Sequence, residues 1–353
     1  MTPRWPVVIV VAIIAVAAGF AAGYLVRPVA GPAGGNPNLV LSISAAGTLA
    51  PIFPAIASAV ANGTPGASAP LAAQQYQGSL AALAAIGTLH QPFDVAAAAD
   101  FRLIPQILEP TYAGYEIVFG STPEVLAYDP SVAAFDGINT TNWPAKLTAS
   151  GVVLGIANQS TDPNGYNGIF VLELQGLLQN GSLSTLYDHF YTTPVGGLAE
   201  PDPTTTRVEP ESQAATLLAA HAVSAFIIYR SYAVSQHLSY VTLDPRVGLG
   251  STDVDDIAVY ANASTAILSG GGTTLVRGAP VLFSATVPLN APNTDLGVSF
   301  LDYLASPAGF AILTAAGFTP IFPAYTDQDP DALPGALTPD VVALPADLAV
   351  LLG

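Results

Sequence analysis

From Asn38 to Ala316, short runs rich in β-branched and aromatic residues alternate with Ala/Leu-rich runs of helical length; no other feature constrains the fold so strongly. Strands separated by helices of roughly 10–15 residues form βαβ units, which set strands parallel and pack crossover helices on the sheet. The strand candidates are residues 38–45 (NLVLSISA), 92–99 (PFDVAAAA), 116–128 (EIVFGS and EVLAY), 152–158 (VVLGIAN), 224–229 (SAFIIY) and 280–288 (PVLFSATVP). Helices are expected at 49–60, 80–86, 213–220, 294–305 and 307–316. The fold class is therefore α/β, and 353 residues allow two domains or lobes.

The junctions of this pattern carry small polar residues. Thr48 follows Gly47, Ser79 follows Gly78, and Ser212 precedes 213–220. A hydroxyl beside the free N–H groups of a helix first turn makes an anion site. Plain N-capping accounts for the same residues. Residues 161–166 (TDPNGY) follow a strand and read as a turn on chemistry alone. Residues 224–231 (SAFIIYRS) end an apolar run with Tyr229, Arg230 and Ser231, and Tyr229 read singly is a packed strand-end residue.

Composition removes whole classes of function. Lys and Arg number 8 against 25 Asp and Glu, a net charge of -17, so no basic stripe exists to neutralise phosphates and no nucleic-acid partner is expected. The absence of cysteine excludes disulfides, thiolate metal sites and thiol nucleophiles. His90, His189, His221 and His237 lack metal-ligand spacing, and no nucleophile elbow, phosphate loop or zincin motif occurs. The chain is not expected to be an enzyme. Few charges, mostly carboxylates, limit self-repulsion in acidic surroundings, where Asp and Glu become neutral near pH of roughly 4.

Residues 6–26 form one apolar stretch flanked by Arg4 and Arg27, long enough to cross a ~30 Å hydrocarbon core. It reads as an uncleaved single anchor with the remainder of the chain outside the cell, although the small residues of 15–22 also suit cleavage of a signal. Residues 28–38, rich in Pro and Gly, read as a tether. Asn62, Asn139, Asn158, Asn180 and Asn262 head N-glycosylation sequons.

Taken in order, Ala46-Gly47-Thr48-Leu49, Gly78-Ser79, FDVAAAADFRLIPQILEPTYA (93–113), NWPAKL (142–147), DPNGY (162–166), YRSYAVSQHLSYVTLDP (229–245), VPLNAPN (287–293) and FLDYLASPAGFAILTAAGFTPIFP (300–323) resemble the motif series of archaeal molybdate/tungstate-binding proteins of ABC transporters. The resemblance covers residues 39–325. It implies a type II periplasmic-binding-protein fold, two α/β lobes joined by hinge strands and closing on a tetrahedral oxyanion. Residues 1–27 would be the anchor or signal, 28–38 the tether, 39–119 and 282–326 lobe 1, 120–281 lobe 2, and 327–353 a loosely packed C-terminal tail. The implied ligand is molybdate or tungstate, with no cofactor, and the implied partners are an ABC permease and its ATPase.

By position, the resemblance places Thr48 and Ser79 at two first-lobe serines, Asp162 at a cleft aspartate able to contact the oxyanion metal, and Tyr229 at a hydroxyl donor. Backbone N–H groups near Asn164 and Gly165, and at Glu211 and Ser212, would complete the second side, with Arg230 as the nearest cation. One departure stands out. The family's glutamate before the tyrosine, which with the aspartate expands the metal's coordination, is Ile228 here. The departure leaves a tetrahedral anion held by hydrogen bonds or another oxyanion such as sulfate or phosphate as alternatives, and the low charge, the sequons and the apolar tail suit a non-transporting surface interaction or sensor module.

Overall fold

A computed structural model describes residues 40–63, 74–269 and 271–352. The expected anchor (1–27) and tether (28–38) lie outside the described residues. Among those described, no single helix is long and apolar enough to cross a membrane.

The strands are β1 (Ile43–Ala46), β2 (Gln74–Gln77), β3 (Val95–Ala98), β4 (Ile117–Ser121), β5 (Glu124–Tyr128), β6 (Leu154–Ile156), β7 (Thr206–Val208), β8 (Ala225–Tyr229), β9 (Tyr240–Thr242), β10 (Ser264–Ser269), β11 (Gly272–Arg277), β12 (Leu282–Thr286), β13 (Thr319–Thr326) and β14 (Val341–Ala343). They form a seven-stranded sheet in the order β14-β13-β4-β12-β3-β1-β2, a five-stranded sheet in the order β7-β6-β8-β5-β9, and the hairpin β10-β11. The chain passes from the first sheet to the second at Thr122–Pro123 and returns between Arg277 and Leu282, so each sheet organises one lobe.

Burial explains which strands read clearly. β1, β3, β4 and β12 are buried along their whole length, which produces continuous apolar or small-residue runs. β2 (QQYQ) lies at a sheet edge with alternating partial burial, so no apolar run announces it.

Neither sheet is wholly parallel, contrary to the expectation from βαβ alternation. β1 pairs in parallel with β2 and β3, and β6 with β7 and β8, whereas β12 runs antiparallel to β3 and β4, and β5 runs antiparallel to β8 and β9. The physical reason is connectivity. β5 and β12 enter their sheets from the other lobe and need no crossover helix.

The helices that matter for the site are α1 (Phe53–Gly63), α2 (Ser79–Gly87), α3 (Pro163–Asn180), α4 (Thr294–Ala305) and α5 (Pro307–Ala315). Phe53 of α1 packs edge-on against Phe300 of α4 at 5.0 Å and also meets Phe119 of β4, so both helices seal the first sheet. α3 is buried along most of its first three turns, with Pro163 at its start and Gly181 at φ 72° ending it. The C-terminal segment is not loose. β14 pairs in parallel with β13 at the sheet edge, and Leu333, Leu337, Val341 and Leu348 are buried.

Candidate functional site

The parallel strands of both sheets direct their carboxyl ends to one place, where an open α/β sheet holds its ligands. β1 runs into Gly47 and Thr48, β2 into Gly78 and Ser79, and β3 into Asp100; from the other sheet β6 leads to Asp162, β7 to Glu211, and β8 ends at Tyr229. β5 runs the opposite way, so its first residue, Glu124, pairs in register with Tyr229 and joins the same cluster.

On the first-lobe side, Thr48 is buried in a 3-10 turn (Gly47–Leu49), and its Oγ1 donates to Glu211 Oε1 at 2.8 Å across the interlobe cleft. Ser79 opens α2. Its Oγ accepts from the Ala99 N–H at 2.9 Å, which ties the end of β3 to the helix and leaves the hydroxyl proton free to donate. Gly78 faces the second lobe with no room for a side chain. A Cβ there would lie 2.2 Å from the Thr161 carbonyl oxygen and 3.1 Å from Asp162 Cβ.

On the second-lobe side, Asp162 caps α3. Its Oδ1 accepts from the Asn164 N–H at 3.0 Å, and its carbonyl accepts from the Gly165 N–H at 3.0 Å. The two backbone N–H groups expected to face a ligand are thus already satisfied within the helix's first turn. Gly165 serves packing instead, because a Cβ would come within 2.6 Å of Ala157–Gln159 backbone atoms. Asn164 directs its amide to Glu124, donating at 3.0 Å and 3.3 Å, while its Oδ1 is buried without a partner. Tyr229 is fully buried, accepts from Asn167 Nδ2 at 3.3 Å and stands edge-on to Phe283 of β12 at 5.5 Å.

Three expectations are corrected here. The Ser212 side chain is exposed and its carbonyl accepts from the Tyr232 hydroxyl, because the 3-10 turn Glu211–Gln213 points Glu211 inward instead. Arg230 turns away, donating to the Gly317 carbonyl and Thr319 Oγ1. The cation tied into the cluster is Arg102, which pairs with Asp100 at 2.6 Å, while Asp100 accepts from the Tyr166 hydroxyl at 2.6 Å. Finally, Ile228 faces the opposite side of the sheet, packed with Val125, Ala127, Ala214, Leu218 and Phe226, as strand alternation dictates for a neighbour of Tyr229.

The carboxyls found at the cleft are therefore Asp162, Glu211 and Glu124. Burial pushes Asp162 up to about 7, against the pull of the Asn164 N–H. Burial, then the charge of Asp162, raises Glu211 well above the carboxylate range, with the Thr48 hydrogen bond opposing. Glu124 rises for the same reason, with Glu211 and Asp162 as its charged neighbours. Among the described residues no salt bridge reaches any of the three. Sequence reasoning considered Glu211 only for its backbone and passed over Glu124. Neither has a local signal, since Glu211 lies in a 3-10 turn after the short strand β7 and Glu124 joins the cleft only through the direction of β5.

Residues 41–319 match the family described as bacterial extracellular solute-binding protein. The chain belongs to this family. A relative from Methanoculleus marisnigri, named an uncharacterized solute-binding protein, is 33% identical over 69% of this chain and 72% of its own length. The molybdate/tungstate-binding protein WtpA of Thermococcus kodakarensis is 27% identical over 66% of this chain and 68% of its own. The resemblance read from the motif series is thereby borne out. Among solved structures, the periplasmic molybdate-binding protein of Azotobacter vinelandii superposes with a TM-score of 0.54 at 16% identity, covering 79% of this chain and 98% of that one. The sulfate-binding protein SubI of Mycobacterium tuberculosis also gives a TM-score of 0.54, at 12% identity, covering 80% and 86%. Both show the two-lobed binding-protein fold. Members of the family are named as solute-binding proteins, not as enzymes.

Proposed function

We propose that this solute-binding protein captures a tetrahedral oxyanion, molybdate or tungstate, outside the cell and delivers it to an ABC permease driven by an ATPase. The observation that carries this reading is the convergence of Thr48, Ser79 and Tyr229, three buried hydroxyls, with Asp162 where the two lobes meet. In this reading the anion sits among those hydroxyls, displacing Thr48 from Glu211, and an N-terminal anchor keeps the lobes at the membrane. Sugar on the exposed Asn139, Asn158, Asn180 and Asn262 belongs to the same extracellular reading.

The test is calorimetric titration at pH about 6, below the Asp162 titration, with tungstate, molybdate, sulfate and phosphate. Tungstate and molybdate are expected to bind at least roughly 100-fold more tightly than sulfate, a margin that needs hydroxyls set for one anion radius. Indifference to all four ends the reading. Preference for sulfate or phosphate would replace the ligand and keep the fold.

Tyr229→Phe tests one donor. The ring keeps its packing on Phe283 and only the hydroxyl is lost, which for a bond to a charged ligand costs about 1.5–3 kcal/mol. Tungstate affinity is expected to fall roughly 10- to 150-fold with the melting temperature little changed; unchanged affinity removes Tyr229 from the site.

A further inference from the structure

We infer that Asn167 is a positioning residue for anion capture, holding the Tyr229 hydroxyl so that its proton points at the bound oxyanion. The inference rests on the oxyanion reading above, in which Tyr229 is a donor, and names what fixes the sense of that donation.

The arrangement follows from the fold of the second lobe. Tyr229 ends β8 opposite Glu124 of β5 in register, and Asn164 and Asn167 stand three residues apart on α3, so their side chains share one face of the helix. All four are buried, Asn167 at 4% exposure and the others at 0%. Both oxygens of Glu124 accept from the Asn164 amide, and Asn167 meets the same carboxyl as a donor, which sets the direction of its own amide. The Asn167 Nδ2 then donates to the Tyr229 oxygen at 3.3 Å. A buried amide in the second turn of a buried helix is costly unless its hydrogen bonds are made, and these contacts make them.

A phenol hydroxyl can accept on one side and donate on the other. With an amide N–H on its oxygen, Tyr229 keeps its proton to give, and nothing among the described residues accepts it. The ring is held edge-on against Phe283 at 5.5 Å, so rotation about the C–O bond is the remaining freedom. The Asn167 bond removes that freedom. Without it, Glu124, Asp162 and Glu211, the acids whose charges reach Tyr229, compete for the proton. An arriving anion would then have to draw the donor away from a carboxyl. With the bond in place the donor is set beforehand, and the cost of orienting it is not taken from binding.

The experiment is a double-mutant cycle on the full chain, read by the same calorimetric titration with tungstate. Asn167→Leu nearly keeps the side-chain volume and removes the donor; alone it is expected to weaken binding roughly 3- to 10-fold, the worth of one neutral hydrogen bond. In the Tyr229→Phe background the same substitution is expected to change affinity by less than about twofold, because its effect runs through the missing hydroxyl. Equal losses in both backgrounds overturn the inference, since Asn167 then serves packing alone, and leave the oxyanion reading standing. Wild-type affinity in Asn167→Leu also overturns it. Should the leucine variant fail to fold, Asn167→Ala repeats the cycle with a smaller side chain. Raman spectroscopy of the ligand-free protein adds a readout that needs no anion. The tyrosine doublet in the difference spectrum between wild type and Tyr229→Phe is expected to report a hydroxyl that accepts without donating, and to shift to one that donates when tungstate is added. A donating hydroxyl in the free protein overturns the inference whatever the ligand. Absence of oxyanion binding by the wild type removes the oxyanion reading and this inference with it.

Discussion

Gly78→Ala is expected to abolish tight oxyanion binding while leaving both lobes folded. The added Cβ would fall 2.2 Å from the Thr161 oxygen and 2.9 Å from its carbonyl carbon, both backbone atoms that no rotamer change can move. Gly78 has φ -55° and ψ 139°, a conformation open to alanine, so nothing within the first lobe objects to the methyl group. The collision exists only between lobes, and the cheapest relief is to hold them apart. Forced overpacking of one methyl costs about 1–3 kcal/mol, and here it is charged to closure, so tungstate affinity should drop by up to roughly 150-fold. The melting temperature of the ligand-free protein should move by no more than a few degrees, or rise if closure itself is strained. Gly114→Ala is the control, because a Cβ there meets nothing within 4 Å. Gly47→Ala is intermediate, since its Cβ would come 2.8 Å from Glu211 Oε1, the far end of a side chain that can swing. Calorimetry with small-angle scattering of each variant separates a binding defect from an open conformation. Wild-type affinity in Gly78→Ala would show that the lobes do not close at this point.

Thr48, Ser79, Tyr229 and Asp162 were legible and the two glutamates were not, for a physical reason. Thr48 and Ser79 follow glycines at strand ends, and Asp162 precedes Pro163 at a helix start, so local chemistry marks them before any fold is known. Tyr229 closes a fully apolar strand. Glu211 follows β7, a three-residue strand with two exposed positions that no hydrophobic pattern reveals. Its neighbour Ser212 looked the better candidate because a hydroxyl suits an anion, yet the 3-10 turn exposes Ser212 and buries the acid. Glu124 belongs to the cleft only because β5 is antiparallel to β8, and that direction is set by the crossing at Thr122–Pro123, not by residues 124–128. Ile228 is the converse case. A single position away from Tyr229 on a strand means the opposite face, so the substitution there removes nothing from the face that carries Tyr229. The hairpin β10-β11, the strand β13 and the edge strand β14 escaped for the reason β2 did, since exposed or half-exposed strands need no apolar run.

The net charge of -17 gains its meaning from where the carboxyls sit, and it yields a stability profile tilted to acid. Burial raises Asp162 and Glu109 to about 7 and Glu173 to about 8, with Asp327 adding its charge at Glu109, and raises Glu116, Glu124 and Glu211 well above the ordinary range. For each, the folded chain holds a proton that the unfolded chain releases. Stability from these groups is complete below the unfolded value near 4 and is lost as pH rises through the folded one. Asp100 and Asp129 act in the opposite sense. Burial pushes both up, but Arg102 and Tyr166 at the first, and His221 and Ser131 at the second, bring them below the usual value, so their contribution vanishes on strong acidification. The optimum therefore falls between, at about pH 4–5. Asp162 alone, carried from 3.8 to about 7, corresponds to on the order of 4 kcal/mol, and a melting temperature at pH 8 roughly 10 °C below that at pH 5 is expected. Differential scanning calorimetry across that range checks it. Glu173→Gln isolates the effect from ligand chemistry. Glu173 lies on α3, accepts from the Ser264 N–H of β10 at 2.8 Å and has its other oxygen buried without a partner. A glutamine there cannot ionise, so the loss of stability between pH 5 and 8 should shrink in the variant. A maximum at neutral pH with unfolding near pH 3 would instead mean that these acids are ionised in the folded chain.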